Sequence, residues 1–148
     1  MPILQTRKPA GSRSNRMLTQ RVINNLGDFF SLEPSSKVHK KIYGPIRVNY
    51  SYHTFEVHIK GNVVLVIDKQ NKDVLVTSGG HFDKYGHPTA STRELINGIF
   101  DTLEAHNITD HVRVYVDNEG CKICVITEED SYEHPLDAKH CNYRVYFK

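Results

Sequence analysis

Apolar residues recur at three- and four-residue steps in two parts of the chain, and this pattern predicts two amphipathic α-helices. The first helix begins near Asn15 and ends before Pro34. The second covers residues 91–106, with Ser91 as the first residue of a capping box. The apolar faces consist of Met17, Leu18, Val22, Leu26, Phe29 and Phe30 in the first helix and of Leu95, Ile96, Ile99, Phe100 and Leu103 in the second. We expect both faces to pack against the rest of the domain, although the face of the first helix could instead receive a partner.

Alternating or continuous apolar runs predict β-strands in the remaining sequence. Residues 46–60 form a long aromatic and β-branched run, whose imperfect alternation predicts a bend or bulge near residues 51–54. Further strands are predicted over residues 63–68, 74–78, 111–117, 121–128 and 143–147. This order predicts an α+β fold: a mainly antiparallel sheet of about five to six strands, packed with one central helix and an N-terminal amphipathic helix.

Composition and length predict one domain with a short extension. Residues 15–148 are enough for a single core, whereas residues 1–14 combine Pro, Gly, Ser and basic residues and are predicted to be a flexible basic arm. No apolar run approaches the ~20 residues that cross a bilayer, and the N-terminus lacks the apolar stretch of a signal peptide. Three cysteines, an odd number, suit a reducing compartment. We therefore expect a cytoplasmic protein with no membrane contact.

Charge is distributed unevenly along the chain. Residues 1–41 contain eight Lys or Arg residues against two acidic ones, a net +6, whereas residues 42–148 have a net −4. A basic leading segment can mark an arm that contacts nucleic acid or an acidic protein, but it is also found in solubilising tails and in arms that fold back on an acidic body. The residues predicted to contact nucleic acid are Arg7, Lys8, Arg13, Arg16 and Arg21.

The 78–94 segment has the richest candidate chemistry, and three interpretations remain open for it. It could be a binding loop for an anion or a partner, because two glycines and a helix N-terminus present backbone N–H groups. It could be a hydrolase or phosphoesterase site, with His81, Asp83 and His87 as base, orienting carboxylate and acid. It could also be only a polar connection between a strand and a helix. The candidate binding residues are Gly79, Gly80, His81, Asp83, His87, Thr89 and Ser91.

A Cys-x-x-Cys motif raises the question of zinc. Cys121 and Cys124, with His140 and Cys141 further on, supply up to four possible zinc ligands. However, the motif lies in a predicted strand, where residues three apart point to opposite faces. Buried reduced cysteines explain the spacing better, so we expect no metal and no cofactor.

Several polar positions resemble a small uncharacterised domain of tailed-phage proteins, in which a Ser-Tyr-x-Thr strand precedes a Thr-rich segment and a helix containing Asn. The resemblance covers about residues 46–100. The matching positions are Ser51, Tyr52, Thr54, Thr89, Thr92 and Asn97. It implies a phage origin and no known chemistry, and small phage proteins of this kind often bind host machinery.

On this basis the first expectation is a non-enzymatic, phage-encoded protein that acts in the host cytoplasm. It would bind a host protein and modulate or inhibit it, in host takeover or anti-defence. The two alternatives are a nucleic-acid-binding protein that uses the basic N-terminal segment and a small hydrolase or phosphoesterase centred on the loop from His81 to His87.

Overall fold

A computed structural model describes residues 13–78 and 82–148, with side chains from Arg16 onward. Two helices and nine strands form the described part of the chain, and the predicted α+β fold class is confirmed. The elements are α1 (Arg13–Ser31), β1 (His39–Tyr43), β2 (Ile46–Tyr50), β3 (Thr54–Ile59), β4 (Asn62–Asp68), β5 (Asp73–Thr77), α2 (Ala90–Ala105), β6 (His111–Asp117), β7 (Gly120–Ile126), β8 (Ser131–Pro135) and β9 (Asn142–Tyr146).

The strands form two antiparallel sheets instead of one. The larger sheet has the order β1-β2-β3-β4-β5-β9 and the smaller one β6-β7-β8. A side chain of α2 occupies the main-chain edge of β6 that has no strand partner, and the two sheets are therefore separate. Asn97 donates from Nδ2 to the Val114 carbonyl at 2.9 Å and accepts from the Val114 amide through Oδ1 at 2.7 Å. The larger sheet therefore does not continue through β6.

The core lies between one face of the larger sheet, the two helices and the smaller sheet. It contains the apolar stripe of α2, most of that of α1 and alternate residues of the strands, among them Val48, Phe55, Ile67 and Ile123, whereas Met17 of the predicted α1 face is exposed. Tyr50 also faces this core, where its hydroxyl donates to Asp28 at 2.6 Å. Burial is the main cause that raises the pKa of Tyr50, and the Asp28 carboxylate adds to it.

Gly98 allows α1 and α2 to approach each other closely. A Cβ atom built at Gly98 would lie 2.6 Å from Cγ2 of Thr19 and 3.7 Å from Cδ1 of Ile23. By contrast, a Cβ at Gly27, in the interior of α1, would meet nothing within 4 Å. The contact between the helices therefore leaves no room for a side chain at Gly98, whereas Gly27 has room for one.

Local structure differs from the sequence prediction at several points. The bend expected near residues 51–54 is a complete chain reversal, in which the Ser51 amide donates to the Thr54 carbonyl at 2.9 Å. Two strands, β1 and β8, were not predicted because they are polar and mostly exposed, with no buried stripe to mark them. The capping box was wrong: α2 begins at Ala90 after Thr89, which makes no side-chain capping bond.

The described helices, α1 and α2, are both too short or too polar to cross a membrane. The chain also enters α1 at Arg13, two residues before the predicted start of the domain, while residues 1–12 lie outside the described structure.

Candidate functional site

Asp83 organises the described part of the 78–94 segment. Its Oδ1 accepts hydrogen bonds from the backbone amides of Tyr85 at 2.9 Å and His87 at 3.1 Å. The Asp83 amide in turn donates to the His87 carbonyl at 2.8 Å, which closes residues 83–87 into a compact turn. Gly86 has a φ of 78° within this turn, a conformation that glycine adopts without strain. The carboxylate is therefore used to hold the backbone.

Electrostatics also favour a charged Asp83. Burial opposes ionisation, but the amide hydrogen bonds from His87 and Tyr85, with the nearby His87 and Arg93 side chains, outweigh it and lower the pKa of the carboxyl. Arg93 is placed for this role because its guanidinium donates to the Pro88 carbonyl at 2.6 Å and lies 4.0 Å from Asp83 Oδ2. Arg93 was not among the residues predicted from the sequence. Its position one turn into α2, next to the candidate segment, could have indicated it.

His87 and the hydroxyl residues do not form a base–nucleophile pair with Asp83. Nδ1 of His87 is 3.9 Å from Asp83 Oδ2, beyond hydrogen-bond distance. Thr89 Oγ1 contacts the hydroxyls of Ser91 at 3.3 Å and Thr92 at 3.0 Å, so these hydroxyls bond one another. Three of the candidate residues, Gly79, Gly80 and His81, lie outside the described residues. The proposed acid–base set of His81, Asp83 and His87 is therefore described only in part.

The four candidate zinc ligands lie on two separate stretches of backbone. Cys121 and Cys124 are both in β7, three residues apart, and both are buried. Cys141 is exposed, and its thiol lies 3.3 Å from the Ala138 carbonyl. His140 lies against Asp137, with Nδ1 3.1 Å from Oδ1. In the part of the chain that the structure covers, residues 13–78 and 82–148, no three His, Cys, Asp or Glu side chains are arranged to hold a metal ion.

The buried thiols are also held in the protonated form. Burial raises the pKa of Cys121 to about 11 and raises the pKa of Cys124 as well. Metal ligation and thiol chemistry both need the thiolate. The Cys-x-x-Cys spacing is explained by two small apolar side chains in a strand.

Of the residues predicted to contact nucleic acid, Arg7 and Lys8 lie outside the described structure, and Arg13 is described only as the first residue of α1. Arg16 is half-buried in α1. Arg21 is exposed, and its guanidinium carbon lies 5.7 Å from the ring centre of Tyr43 in β1. Arg21 therefore lies next to the edge strand of the larger sheet.

The residues that carry the phage resemblance have separate local roles. Ser51 and Thr54 close the turn between β2 and β3. The Lys69 ammonium lies over the Tyr52 ring, 4.3 Å from the ring centre. The Lys69 ammonium also donates to the Phe29 carbonyl at 3.1 Å, near the C-terminus of α1, where a cation is favourable. Thr89 and Thr92 share a hydrogen bond, and Asn97 covers the edge of β6.

A groove between the two sheets was not predicted from the sequence. It has a volume of about 410 Å³ and lies between β9, the last strand of the larger sheet, and strands β7 and β8 of the smaller one. Its lining is Asp110, Val125, Thr127, Tyr132, Tyr143, Arg144, Val145, Tyr146 and Phe147. The rings of Tyr132 and Tyr146 are 53% and 66% exposed. No sequence pattern indicated this groove, because its residues come from distant segments and β8 was not predicted.

Another unpredicted cluster covers the smaller sheet. Lys122 in β7 lies 3.1 Å from Asp117, 3.2 Å from Glu119 and 3.7 Å from Glu133. The hydrogen bonds that Lys122 donates to Asp117 and Glu119 raise its pKa, and the hydrogen bond that Tyr115 donates to Glu133 raises the pKa of Tyr115 to about 12. These side chains satisfy one another on the surface and leave no free group for catalysis among them.

Comparisons of this chain with protein-family models, with curated proteins and with solved structures found no match. The resemblance to a tailed-phage domain therefore stays a prediction.

Proposed function

We propose that this protein is a non-enzymatic binding protein whose groove between β9 and β7–β8 takes a segment of a partner protein. The observation that carries the proposal is the lining of the groove. Two half-exposed tyrosines, an arginine and a floor that includes Val125 and Val145 lie together. Protein interfaces are enriched in Tyr, Phe and Arg, and such residues provide most of the binding free energy.

The strands beside the groove supply a second reason. β8 and β9 each stand at the end of a described sheet, so each has a main-chain edge without a strand partner in that sheet. An extended segment can add to such an edge through main-chain hydrogen bonds while its side chains enter neighbouring pockets. A partner segment that binds in this way is extended and not helical.

The 78–94 segment supports a hydrolase less well. The Asp83 carboxylate is engaged by two backbone amides, and the hydroxyl of Thr89 is bonded to neighbouring hydroxyls. The partner class and its setting follow from the phage resemblance alone: a host protein in the host cytoplasm, which the protein modulates or inhibits.

The test compares two tyrosines of the groove with one tyrosine elsewhere. Tyr132→Ala with Tyr146→Ala removes both exposed rings, and Tyr85→Ala removes a ring that is 69% exposed on the 78–94 segment. Immobilised wild-type protein and both variants are incubated with bacterial lysate, with and without nuclease. Each protein captured by the wild type is then purified and titrated by calorimetry.

We expect capture to survive nuclease, and the double variant to bind the partner at least about 30-fold more weakly, as for interface residues worth 2 kcal/mol or more. The Tyr85→Ala variant should bind like the wild type. Equal affinity of the double variant for every captured protein, or loss of all capture after nuclease treatment, contradicts the proposal.

A further inference from the structure

The edge of the larger sheet at β1 presents a group of cations, which we call the cationic edge. It consists of Lys37, Lys40, Lys41, Arg47 and Lys60. The side chains of these five residues make no hydrogen bond or ion pair with any residue in the described ranges 13–78 and 82–148. Residues 37–61 contain these five cations and one acidic residue, Glu56, for a net charge of +4.

Cations on the opposite part of the molecule are mostly paired. Arg113 lies 3.3 Å from Asp101, and Arg144 lies 3.0 Å from Asp73. Lys122 has three carboxylates within 4 Å. Among the described residues, the cationic edge therefore holds the largest group of cations without an ion pair, although further ones such as Lys72 and Lys139 lie elsewhere.

The strand register places Lys40 and Arg47 on a common surface. Ile42 in β1 is opposite Arg47 in β2, and Arg47 is opposite His58 in β3, all on the outer face of the sheet. Lys40 follows in the next row, opposite Asn49. With strands about 4.8 Å apart, the row spans roughly 10 Å.

Lys41 points to the other side of β1, on the same face as Tyr43. Arg21 of α1 lies over the Tyr43 ring. The positive surface therefore wraps around the edge of the sheet and reaches the helix that the N-terminal arm enters.

Two hollows lie among these side chains. One, of about 320 Å³, is lined by Lys40, Ile42, Arg47 and Asn49, and the other, of about 260 Å³, includes Arg47, His58 and Lys60 in its lining. Asn49 Oδ1 and His58 Nε2 are buried and have no hydrogen-bond partner within the described residues. The surface is thus concave and polar, and its cations are opposed by one carboxylate, Glu56, whose Oε1 lies 3.9 Å from His58 Nε2.

We propose that the cationic edge binds the phosphate backbone of nucleic acid without reading its bases. Cations that release counterions from phosphates bind nucleic acid independently of sequence. The outer face of β1–β3, described in full, has no exposed Phe or Tyr on which a base could stack, and Ile42 is its one large exposed apolar side chain. A protein partner would need a larger apolar centre than this face offers.

The test measures how the affinity of the full chain for nucleic acid depends on salt. Fluorescein-labelled 20-mer duplexes of two unrelated sequences, and the corresponding single strands, are titrated by anisotropy between 50 and 200 mM NaCl. Each phosphate contact contributes about −0.9 to the slope of log K against log salt for a duplex, so five contacts predict a slope of about −4.5 and a roughly 500-fold loss over this range. Both sequences should bind equally.

Matched double variants locate the site. Arg47→Gln with Lys60→Gln should reduce the loss between 50 and 200 mM to about 40-fold, because three contacts remain. Lys72→Gln with Lys139→Gln removes the same charge elsewhere and should leave the slope unchanged. Lys60 and Lys72 both have positive φ, so these two positions are also matched in backbone conformation. Melting temperatures are measured for all variants.

Three results would overturn the proposal: no binding at 50 mM NaCl, an unchanged slope in the Arg47/Lys60 variant, or displacement of the duplex by poly-glutamate at an equal charge concentration. The second result would assign binding to the N-terminal arm, and the third would assign it to an acidic protein. Failure here does not affect the groove, because the Tyr132/Tyr146 variant is expected to keep its affinity for nucleic acid.

Discussion

Replacing Gly98 with alanine tests how closely the two helices are packed. In an open helix position this change stabilises by about 1 kcal/mol, because glycine loses more conformational freedom on folding than alanine. At Gly98 the new Cβ would lie 2.6 Å from Thr19 Cγ2, whereas carbon atoms in contact lie about 3.5–4.0 Å apart. Thr19 is buried and its β-branched side chain has restricted rotamers in a helix, so it cannot simply turn away.

Gly27→Ala provides the reference for this prediction. A Cβ at Gly27 meets nothing within 4 Å, so this variant should gain the helix term and lose nothing. Overpacking by one methyl group in a core costs about 1–3 kcal/mol. Because both substitutions gain the same helix term, the difference between their free energies of unfolding should equal the overlap cost, about 1–3 kcal/mol. Gly98→Ala should therefore be the less stable of the two.

Urea denaturation followed by circular dichroism measures these free energies, and at this chain length 1 kcal/mol corresponds to about 3 °C in melting temperature. Thr19→Ser removes the Cγ2 atom, so Gly98→Ala should cost at least about 1 kcal/mol less in that background. Equal stability of the Gly98→Ala and Gly27→Ala proteins would refute the packing argument, and so would an unchanged cost in the Thr19→Ser background.

Two further predictions concern buried polar groups and thiols. Asn97→Ala should lower the free energy of unfolding by about 2 kcal/mol or more, because both main-chain groups of Val114 lose their partner; urea denaturation checks this, and a change below 0.5 kcal/mol contradicts it. In the native protein at pH 8, iodoacetamide should modify Cys141 at least tenfold faster than Cys121 or Cys124, because the latter two are buried and the pKa of each is raised. Peptide mass spectrometry of timed samples measures the rates, and equal rates would contradict the prediction.

The fold class could be predicted because burial leaves a periodic trace in the sequence. The stripe of α2 and the alternation in β6, where Val112 and Val114 face inward, correspond to real elements. β1 and β8 leave no such trace, because an exposed edge strand can be polar at every position. The division into two sheets could not be predicted either, since it depends on the contact between Asn97 and Val114 across 17 residues.

The candidate site was less predictable than the fold. The composition of the 78–94 segment suggested chemistry, yet Asp83 is engaged by backbone amides, a use that composition cannot distinguish from catalysis. The uneven charge was visible in the sequence, but it was assigned to the N-terminal arm. Register pairing brings Lys40, Arg47 and His58 together on β1–β3, and register is a property of the folded sheet.

The four outer strands of the two sheets are treated differently, and this has a consequence for self-assembly. β1 is lined with lysines, which repel a second copy of the same strand, and β6 is closed by Asn97. The edges at β8 and β9 have neither form of protection, yet both belong to the groove. At high concentration and without a partner, copies of this protein should therefore associate by pairing of these strand edges at the groove. A partner bound in the groove would prevent this association.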